Sequence, residues 1–253
     1  MKHLLSSVVA VALLLSISGS VRAQEITLLA PGPAREPINK IIANFQSKTT
    51  YKVKVTYGTG LSTRESVAKG QPLDVSLILP PFPGAVASGS VIPGSQTVVA
   101  SFLMAVAVPK NAPKPDISSP AAVKKAFLAA KNIGFVDPDF GSAGEGATAA
   151  LTKLGIQDQV ITKSQVPAGG GPVQKGLVSG DIAIGMLYLS DMLPNKDINI
   201  VGVLPKKICT PTDMVGFIST KASDPAGAKA LLAFLANPDS QAIFKEAGFQ
   251  PRK

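Results

Sequence analysis

Short apolar runs alternate with amphipathic segments along the chain. Residues 26–30 form an uninterrupted apolar run of the kind found in buried strands. From about residue 36, apolar side chains recur at the spacing of one helix face as far as Phe45. Residues 52–57 then alternate between polar and apolar side chains, which is typical of a strand. This repeated order of strand and helix predicts an α/β fold built on parallel sheets.

Two longer apolar stretches interrupt the alternation. Residues 98–108 are rich in β-branched side chains, and we expect a strand there that crosses from one domain to the other. Residues 198–204 are the candidate for the return crossing. Further strands are predicted at residues 74–79, 133–136, 182–186 and 212–219. Further helices are predicted to end near residues 69, 131, 154, 179, 235 and 247.

Four times the chain passes from a predicted strand through a turn of small and polar residues into a helix. These turns are residues 30–35, 58–63, 137–144 and 169–172. In an open parallel sheet, ligands bind beyond the carboxyl ends of the strands, where such turns gather. Helix N-termini there present free N–H groups and a partial positive charge, and glycine allows close approach to the backbone. The four turns therefore indicate a site for an anion.

Several side chains add hydrogen-bond donors to these turns. Thr59 and Ser142 supply hydroxyl groups, and Arg35 and Arg64 lie in or near first helical turns. Arginine opposes the helix dipole there, and an anion placed between the two would resolve that conflict. Each turn alone is also an ordinary connection, and most arginines are solvated surface residues. Tyr188 closely follows a predicted strand. Its position is equally consistent with a side chain that faces the cleft and with one that packs in the core.

The first 23 residues have the features of a secretory signal peptide. Lys2 supplies the positive start, residues 8–15 an apolar core, and residues 21–23 a small-residue cleavage site. The apolar core is too short for a membrane span. We therefore expect export to the periplasm and a mature chain that begins at Gln24.

Once that segment is removed, the chain contains no histidine, because the only one is His3. The mature protein thus lacks the commonest general base, the commonest metal ligand and any Ser-His-Asp arrangement. No spacing typical of a dinucleotide or phosphate loop is present. We expect a protein that binds a solute without transforming it and that uses no metal or other cofactor.

The charge balance points to an anionic partner. The formal net charge is +9 over 253 residues, and it falls to about +7 when Lys2 and Arg22 leave with the signal. The basic residues form pairs, such as residues 206–207, and no longer runs. With no Trp and three Tyr in the chain, the basic stripe with stacking aromatics that nucleic-acid binding requires is missing. A small anion is therefore the expected ligand, and nucleic acid is not.

Five segments, taken in order, resemble the molybdate-binding branch of the type II periplasmic solute-binding proteins. They are the first loop at residues 30–34, the glycine-hydroxyl turn at 55–60, the Gly-x-Pro-x-Asp-Val segment at 70–75, the helix–strand turn at 178–185, and the C-terminal helices at 230–249. No single segment is decisive, but their order and spacing together extend over most of the mature chain.

The resemblance implies a two-lobed α/β fold in which each lobe is a mainly parallel sheet flanked by helices. Lobe I would comprise residues 24–102 and 203–253, and lobe II residues 103–202. The ligand would lie in the cleft between them, and a monomer would deliver it to an inner-membrane ABC permease. The implied contacts are at Pro33 and Ala34, Thr59 and Gly60, Ser142 and Ala143, and Gly170 and Gly171.

The chain departs from that branch in its first loop, which reads Pro-Gly-Pro-Ala where molybdate binders have a serine. Arg35 and Arg64 flank the first two loops, and arginine pairs bidentately with carboxylate or phosphate. We therefore hypothesise an organic carboxylate as the ligand, with a molybdate-like oxyanion as the other possibility. Two further functions stay open: a ligand-presenting sensor without transport and, less favoured, an exported enzyme.

Overall fold

The computed structural model describes residues 24–252, so the predicted signal peptide lies outside the described residues. Two β-sheets carry helices on their faces. The strands are β1 Glu25–Pro31, β2 Lys52–Gly58, β3 Val75–Ile78, β4 Thr97–Phe102, β5 Met104–Pro109, β6 Ile133–Phe135, β7 Ser164–Gln165, β8 Ile184–Tyr188, β9 Ile198–Val203, β10 Thr212–Ile218 and β11 Gln250–Pro251. The helices are α1 Arg35–Lys48, α2 Gly60–Ala68, α3 Pro83–Ala87, α4 Pro120–Ala129, α5 Ser142–Leu154, α6 Gln157–Ile161, α7 Gly170–Ser179, α8 Leu189–Met192, α9 Pro225–Leu235 and α10 Pro238–Glu246.

Each sheet is mixed rather than mainly parallel. The first has the strand order β11-β4-β10-β3-β1-β2, and the second has the order β7-β6-β8-β5-β9. The pairs β1–β2, β1–β3, β6–β7 and β6–β8 are parallel, as expected for strands joined through helices. The other pairs are antiparallel. Each of them includes β4, β5, β9, β10 or the short C-terminal β11. The strands on either side of the two crossings thus add antiparallel pairs to both sheets.

The crossing predicted at residues 98–108 is confirmed. β4 belongs to the first sheet and β5 to the second, and only Leu103 separates them. The chain returns between β9 and β10. Beside the first crossing, the ring of Phe102 lies 4.6 Å from the ring of Tyr188 on β8 and 4.6 Å from that of Phe249. This aromatic cluster joins the two sheets at the base of the cleft.

The apolar face predicted for the first helix is buried in α1. Its side chains Ile38, Ile41 and Phe45 are at most 1% exposed. The ring of Phe45 packs on Tyr51 and Phe234, with centroids 5.9 and 5.3 Å away. α1 is therefore held against the start of β2 and against α9, which fixes the turn that precedes it. None of the helices in residues 24–252 has the length and hydropathy of a membrane span.

A buried carboxylate joins three segments of the first sheet. The backbone N–H and the hydroxyl of Thr27 on β1 each donate to Asp74 Oδ2 at 2.7 Å. The N–H and hydroxyl of Ser223, just before α9, donate to Asp74 Oδ1 at 2.6 and 2.8 Å. Burial opposes ionisation of Asp74, but these hydrogen bonds outweigh it and hold the pKa below its usual value. The ionised carboxylate therefore stabilises the edge of β3 in its register.

We predict that Asp74→Asn lowers the free energy of unfolding by about 2 kcal/mol at pH 7, because an amide nitrogen cannot accept the bonds that one carboxylate oxygen accepts. A lowered pKa gives stability that is present above the unfolded value of about 4 and lost as pH falls through the folded pKa. The difference between wild type and variant should therefore shrink in urea titrations at about pH 3. Asp239→Asn, in an exposed ion pair with Lys48, is the matched control. A difference that stays constant with pH would contradict this account of Asp74.

Candidate functional site

A cavity of about 500 Å³ lies between the two sheets. All four turns predicted to bind an anion contribute to it, together with the ends of β2 and β8. Its lining residues are Gly32, Pro33, Arg35, Tyr57, Gly58, Thr59, Gly60, Val136, Phe140, Gly141, Ser142, Ala143, Ala168, Gly169, Gly170, Gly171, Gln174, Tyr188 and Asp191. The turns lie far apart in sequence, and the topology brings them together where the two sheets face each other.

Nine of the eleven predicted site residues line this cavity. They are Pro33, Arg35, Thr59, Gly60, Ser142, Ala143, Gly170, Gly171 and Tyr188. Two do not: Ala34 is fully buried in the short 3₁₀ turn before α1, and Arg64 is held elsewhere. The role of the nine residues in ligand binding stays a prediction, but the structure places them around one space.

Several helices begin at the cavity, among them α1, α2, α5 and α7. α2 is capped by Thr59, whose Oγ1 accepts from the Ser62 N–H at 3.0 Å. α5 and α7 begin after Gly141 and Gly169, and no side chain caps either helix. The first N–H groups of these two helices therefore have no side-chain acceptor, and the partial positive charge of each helix start remains uncompensated. An anion in the cavity would accept hydrogen bonds from these N–H groups and would also balance the positive charge.

Arg35 lies at the rim of the cavity, supported by an aromatic ring. Its guanidinium carbon is 4.0 Å from the centroid of the Tyr57 ring, which is a cation–π distance. The Tyr57 hydroxyl donates to Asn39 Oδ1 at 2.6 Å and so fixes the ring. Burial raises the pKa of Tyr57 to about 12, although the Arg35 charge lowers it in part. Tyr57 is therefore neutral, and Arg35 supplies the charge at this edge.

Arg64 forms an ion pair across the cleft. Its Nη2 lies 2.6 Å from Glu145 Oε1, and its Nη1 lies 3.2 Å from Glu145 Oε2. The side chain of Arg64 is only 11% exposed, and Nη1 also donates to the Pro80 carbonyl. This bidentate pair joins α2 beside the first sheet to α5 beside the second. Arg64 thus contacts the opposite lobe, and the structure does not bring it to the cavity.

The starts of α2 and α5 also touch directly. A Cβ at Gly60 would lie 2.8 Å from the Cβ of Ser142 and closer still to its hydroxyl. That separation is shorter than real carbon–carbon contacts, so the absence of a side chain at Gly60 lets α2 and α5 approach. At this point the backbone of Gly60 meets the side chain of Ser142 across the cleft.

Two further polar side chains, Asp191 and Gln174, line the cavity. Neither was predicted from the sequence as a ligand contact. Asp191 lies in α8, and its Oδ2 is 4.0 Å from the position that a Cβ on Gly170 would take. Burial raises the pKa of Asp191 to about 7. Gln174 donates from Nε2 to the Asp191 carbonyl at 3.1 Å and so holds this segment. An acid with a raised pKa in a cavity is a candidate for a functional role.

Tyr57 and Phe140 were also missed by sequence reasoning. Phe140 is 53% exposed, an uncommon position for a large aromatic side chain, and it lies within the third of the four turns. An aromatic residue inside a Gly-rich turn is the signal that could have identified it. Among residues 24–252, no group of three His, Cys, Asp or Glu side chains is placed to hold a metal ion.

Comparison with known proteins identifies relatives over nearly the whole chain. The family model described as bacterial extracellular solute-binding protein matches residues 26–250. An aconitate isomerase from Pseudomonas sp is 27% identical over 95% of this chain and 94% of its own length. The molybdate-binding protein ModA of Rhodobacter capsulatus is 23% identical over 95% and 94%. The periplasmic molybdate-binding protein of Azotobacter vinelandii superposes with a TM-score of 0.72 at 18% identity, over 90% of this chain and all of that one. The two-lobed fold and the resemblance to molybdate-binding proteins expected from the sequence are confirmed.

We predict that Gly60→Ala destabilises the closed arrangement, because its methyl group meets Ser142. The free energy of unfolding should fall by about 1–3 kcal/mol, the usual cost of overpacking, as measured by urea titration. Gly171→Ala, at another helix start on the same cavity with open space around it, should be neutral or slightly stabilising. The pair Gly60→Ala with Ser142→Gly should recover most of the loss. Equal stability of the two single alanine variants would contradict the direct contact across the cleft.

Proposed function

The chain belongs to the bacterial extracellular solute-binding protein family, and on that premise we propose that it captures a small organic anion in the cavity between its two sheets. The observation that carries the proposal is the convergence of the uncapped starts of α5 and α7, the start of α2 and the guanidinium of Arg35 on one space. Donors and positive charge from both sides of a cleft form the arrangement that binds an anion and closes over it.

The size and walls of the cavity favour an organic anion over a bare tetrahedral oxyanion. Its volume of about 500 Å³ falls within the roughly 300–1,000 Å³ common for sites of small organic molecules. Pro33, Val136, Phe140 and Ala168 give part of the lining an apolar character. A hydrocarbon body would pack on these residues while its carboxylates meet the helix starts and Arg35. Tyr57 adds a neutral ring to the same wall.

The names of the relatives support a small anion of this kind. One is named for molybdate binding and another for the isomerisation of aconitate, which is a tricarboxylate. Both ligands are multiply charged anions. We therefore propose that the ligand is a di- or tricarboxylate, with a molybdate-like oxyanion as the alternative within the same site.

The remaining parts of the proposal follow from the family. Lobe I would comprise residues 24–102 and 203–253, and lobe II residues 103–202. After export to the periplasm and removal of residues 1–23, the protein would act as a monomer. It would pass its anion to an ABC permease in the inner membrane.

We predict that the mature protein binds di- and tricarboxylates more tightly than molybdate, tungstate, sulfate or phosphate in isothermal titration calorimetry. Arg35→Ala should weaken carboxylate binding by about tenfold or more, the value expected for a charge-assisted hydrogen bond. Arg35→Lys, which keeps the charge but not the planar fork, should recover only part of the affinity.

Arg252→Ala is the matched control, because it removes the same charge far from the cavity lining. An affinity unchanged by Arg35→Ala would contradict the carboxylate proposal. Binding restricted to molybdate and tungstate would show instead that the backbone donors suffice for a small oxyanion.

A second candidate function is isomerisation of an unsaturated carboxylate, and the carboxyl of Asp191 in the cavity is the observation that favours it. An ionised Asp191 would take a proton from a methylene carbon next to a carboxylate, the double bond would shift along the carbon chain, and the same group would return the proton at the other end. The step needs no oxidant and no further reactant. A carboxyl whose pKa is raised to about 7 suits a general base at neutral pH.

This candidate is tested by incubating cis- and trans-aconitate separately with the mature protein in D₂O and recording proton NMR spectra. An isomerase would interconvert the two and incorporate deuterium, and Asp191→Asn would abolish both changes. We expect binding without conversion. Interconversion by the wild type alone would replace capture with catalysis as the function.

A further inference from the structure

The segment from Tyr188 to Asp191 carries three polar side chains that form no hydrogen bond of ordinary geometry with another residue among 24–252. The Ser190 hydroxyl is buried without a hydrogen bond, and the buried Tyr188 hydroxyl lies near the side chains of Ser142 and Thr212 without an ordinary hydrogen bond to either. The carboxyl of the half-buried Asp191 forms neither a hydrogen bond nor an ion pair. Tyr188 is 1% exposed and lines the cavity, as does Asp191. Buried polar groups are nearly always hydrogen-bonded, so the two buried hydroxyls beside a cavity point to groups that a ligand satisfies.

Asp191 lies beside a helix start at which we propose that the anion binds. Its carboxyl lies near the start of α7 at Gly170, a helix start that no side chain caps. Asp191 is the only acidic residue that lines the cavity in the described part of the chain. A carboxylate and a bound anion beside one helix start would repel each other in a site that excludes water. The conflict disappears when Asp191 carries a proton, because a carboxylic acid donates a hydrogen bond to the anion.

The charged and titratable groups around Asp191 do not remove the repulsion between its carboxylate and the anion. Arg35 lines the same cavity from the start of α1, and Tyr57 and Tyr188 are neutral at physiological pH. Asp191 also lines an adjoining groove, whose other charged residues are Arg35, Glu36, Lys196 and Glu246. Burial and not a neighbouring charge sets the raised pKa of Asp191. Burial is also the main cause that raises the pKa of Tyr188, to about 12; the nearby side chains of Ser142 and Thr212 lower it in part, and the Asp191 charge adds to it.

We propose that Asp191 is protonated when the anion binds, so that the protein takes up a proton together with its ligand and holds the anion through the Asp191 and Tyr188 hydroxyl hydrogens. This inference rests on the proposed capture of an anion in the cavity. It also separates capture from isomerisation, since a protonated Asp191 cannot act as the base that the isomerase candidate requires.

The test is calorimetric titration of the mature protein with trans-aconitate at pH 7 in Bis-Tris and in imidazole, whose ionisation enthalpies differ. All three carboxyl groups of this probe are ionised at that pH, so its own protonation does not contribute. A carboxyl with a pKa of about 7 is half protonated in the free protein, so we expect uptake of about half a proton per anion, which rises toward one at about pH 8. Affinity should fall by up to about tenfold per pH unit above that value.

Asp191→Asn keeps a donor without a titrating group, so it should bind without proton uptake and hold its affinity as pH rises. Tyr188→Phe should bind several-fold more weakly but with the same uptake as wild type. Asp213→Asn, an aspartate outside the cavity lining, should behave as wild type. Binding with no proton uptake by wild type, or with equal uptake by Asp191→Asn, would overturn this proposal alone. No binding of any anion would overturn it together with the proposed function.

Discussion

Backbone N–H groups at helix starts require acceptors, and this requirement governs the centre of the molecule. α5 and α7 both begin after glycines, with no side chain to cap them, and both begin at the same cavity. A structure that leaves these donors without side-chain acceptors at one point is selective for negative charge there. Arg35 adds a full positive charge at the rim, and Tyr57 holds it by stacking. In the proposed function, the negative sign of the ligand is thus determined mainly by the backbone.

The relation between the two sheets makes this convergence possible. β4 and β5 pass from one sheet to the other across the single residue Leu103, and the Phe102, Tyr188 and Phe249 rings pack beside that crossing. Above it, Gly60 lies against Ser142, and Arg64 pairs with Glu145. The first contact depends on the absence of a side chain and the second on charge. Together they hold the starts of α2 and α5 close enough to contact one small ligand from opposite sides.

The sequence predicted the elements and the turns well, but not every side chain between them. Periodicity identified α1 and the crossing at residues 98–108 because each extends over many residues. It did not identify α8, which has four residues, and so Asp191 was not among the predicted site residues. Arg64 was assigned to the ligand because its partner, Glu145, is 81 positions away in the chain. The mixed character of the sheets depends on how the crossing strands pair, which no local pattern encodes.

The central claim is that the cavity binds an organic anion at the helix starts, and a crystal structure of the mature protein grown with trans-aconitate tests it most directly. We expect one carboxylate at the N–H groups that begin α5 and α7, and a second within hydrogen-bonding distance of Arg35. The Asp191 carboxyl should lie within hydrogen-bonding distance of a ligand oxygen. A ligand bound elsewhere on the surface, or a cavity that holds only water while the anion binds in solution, would contradict the account.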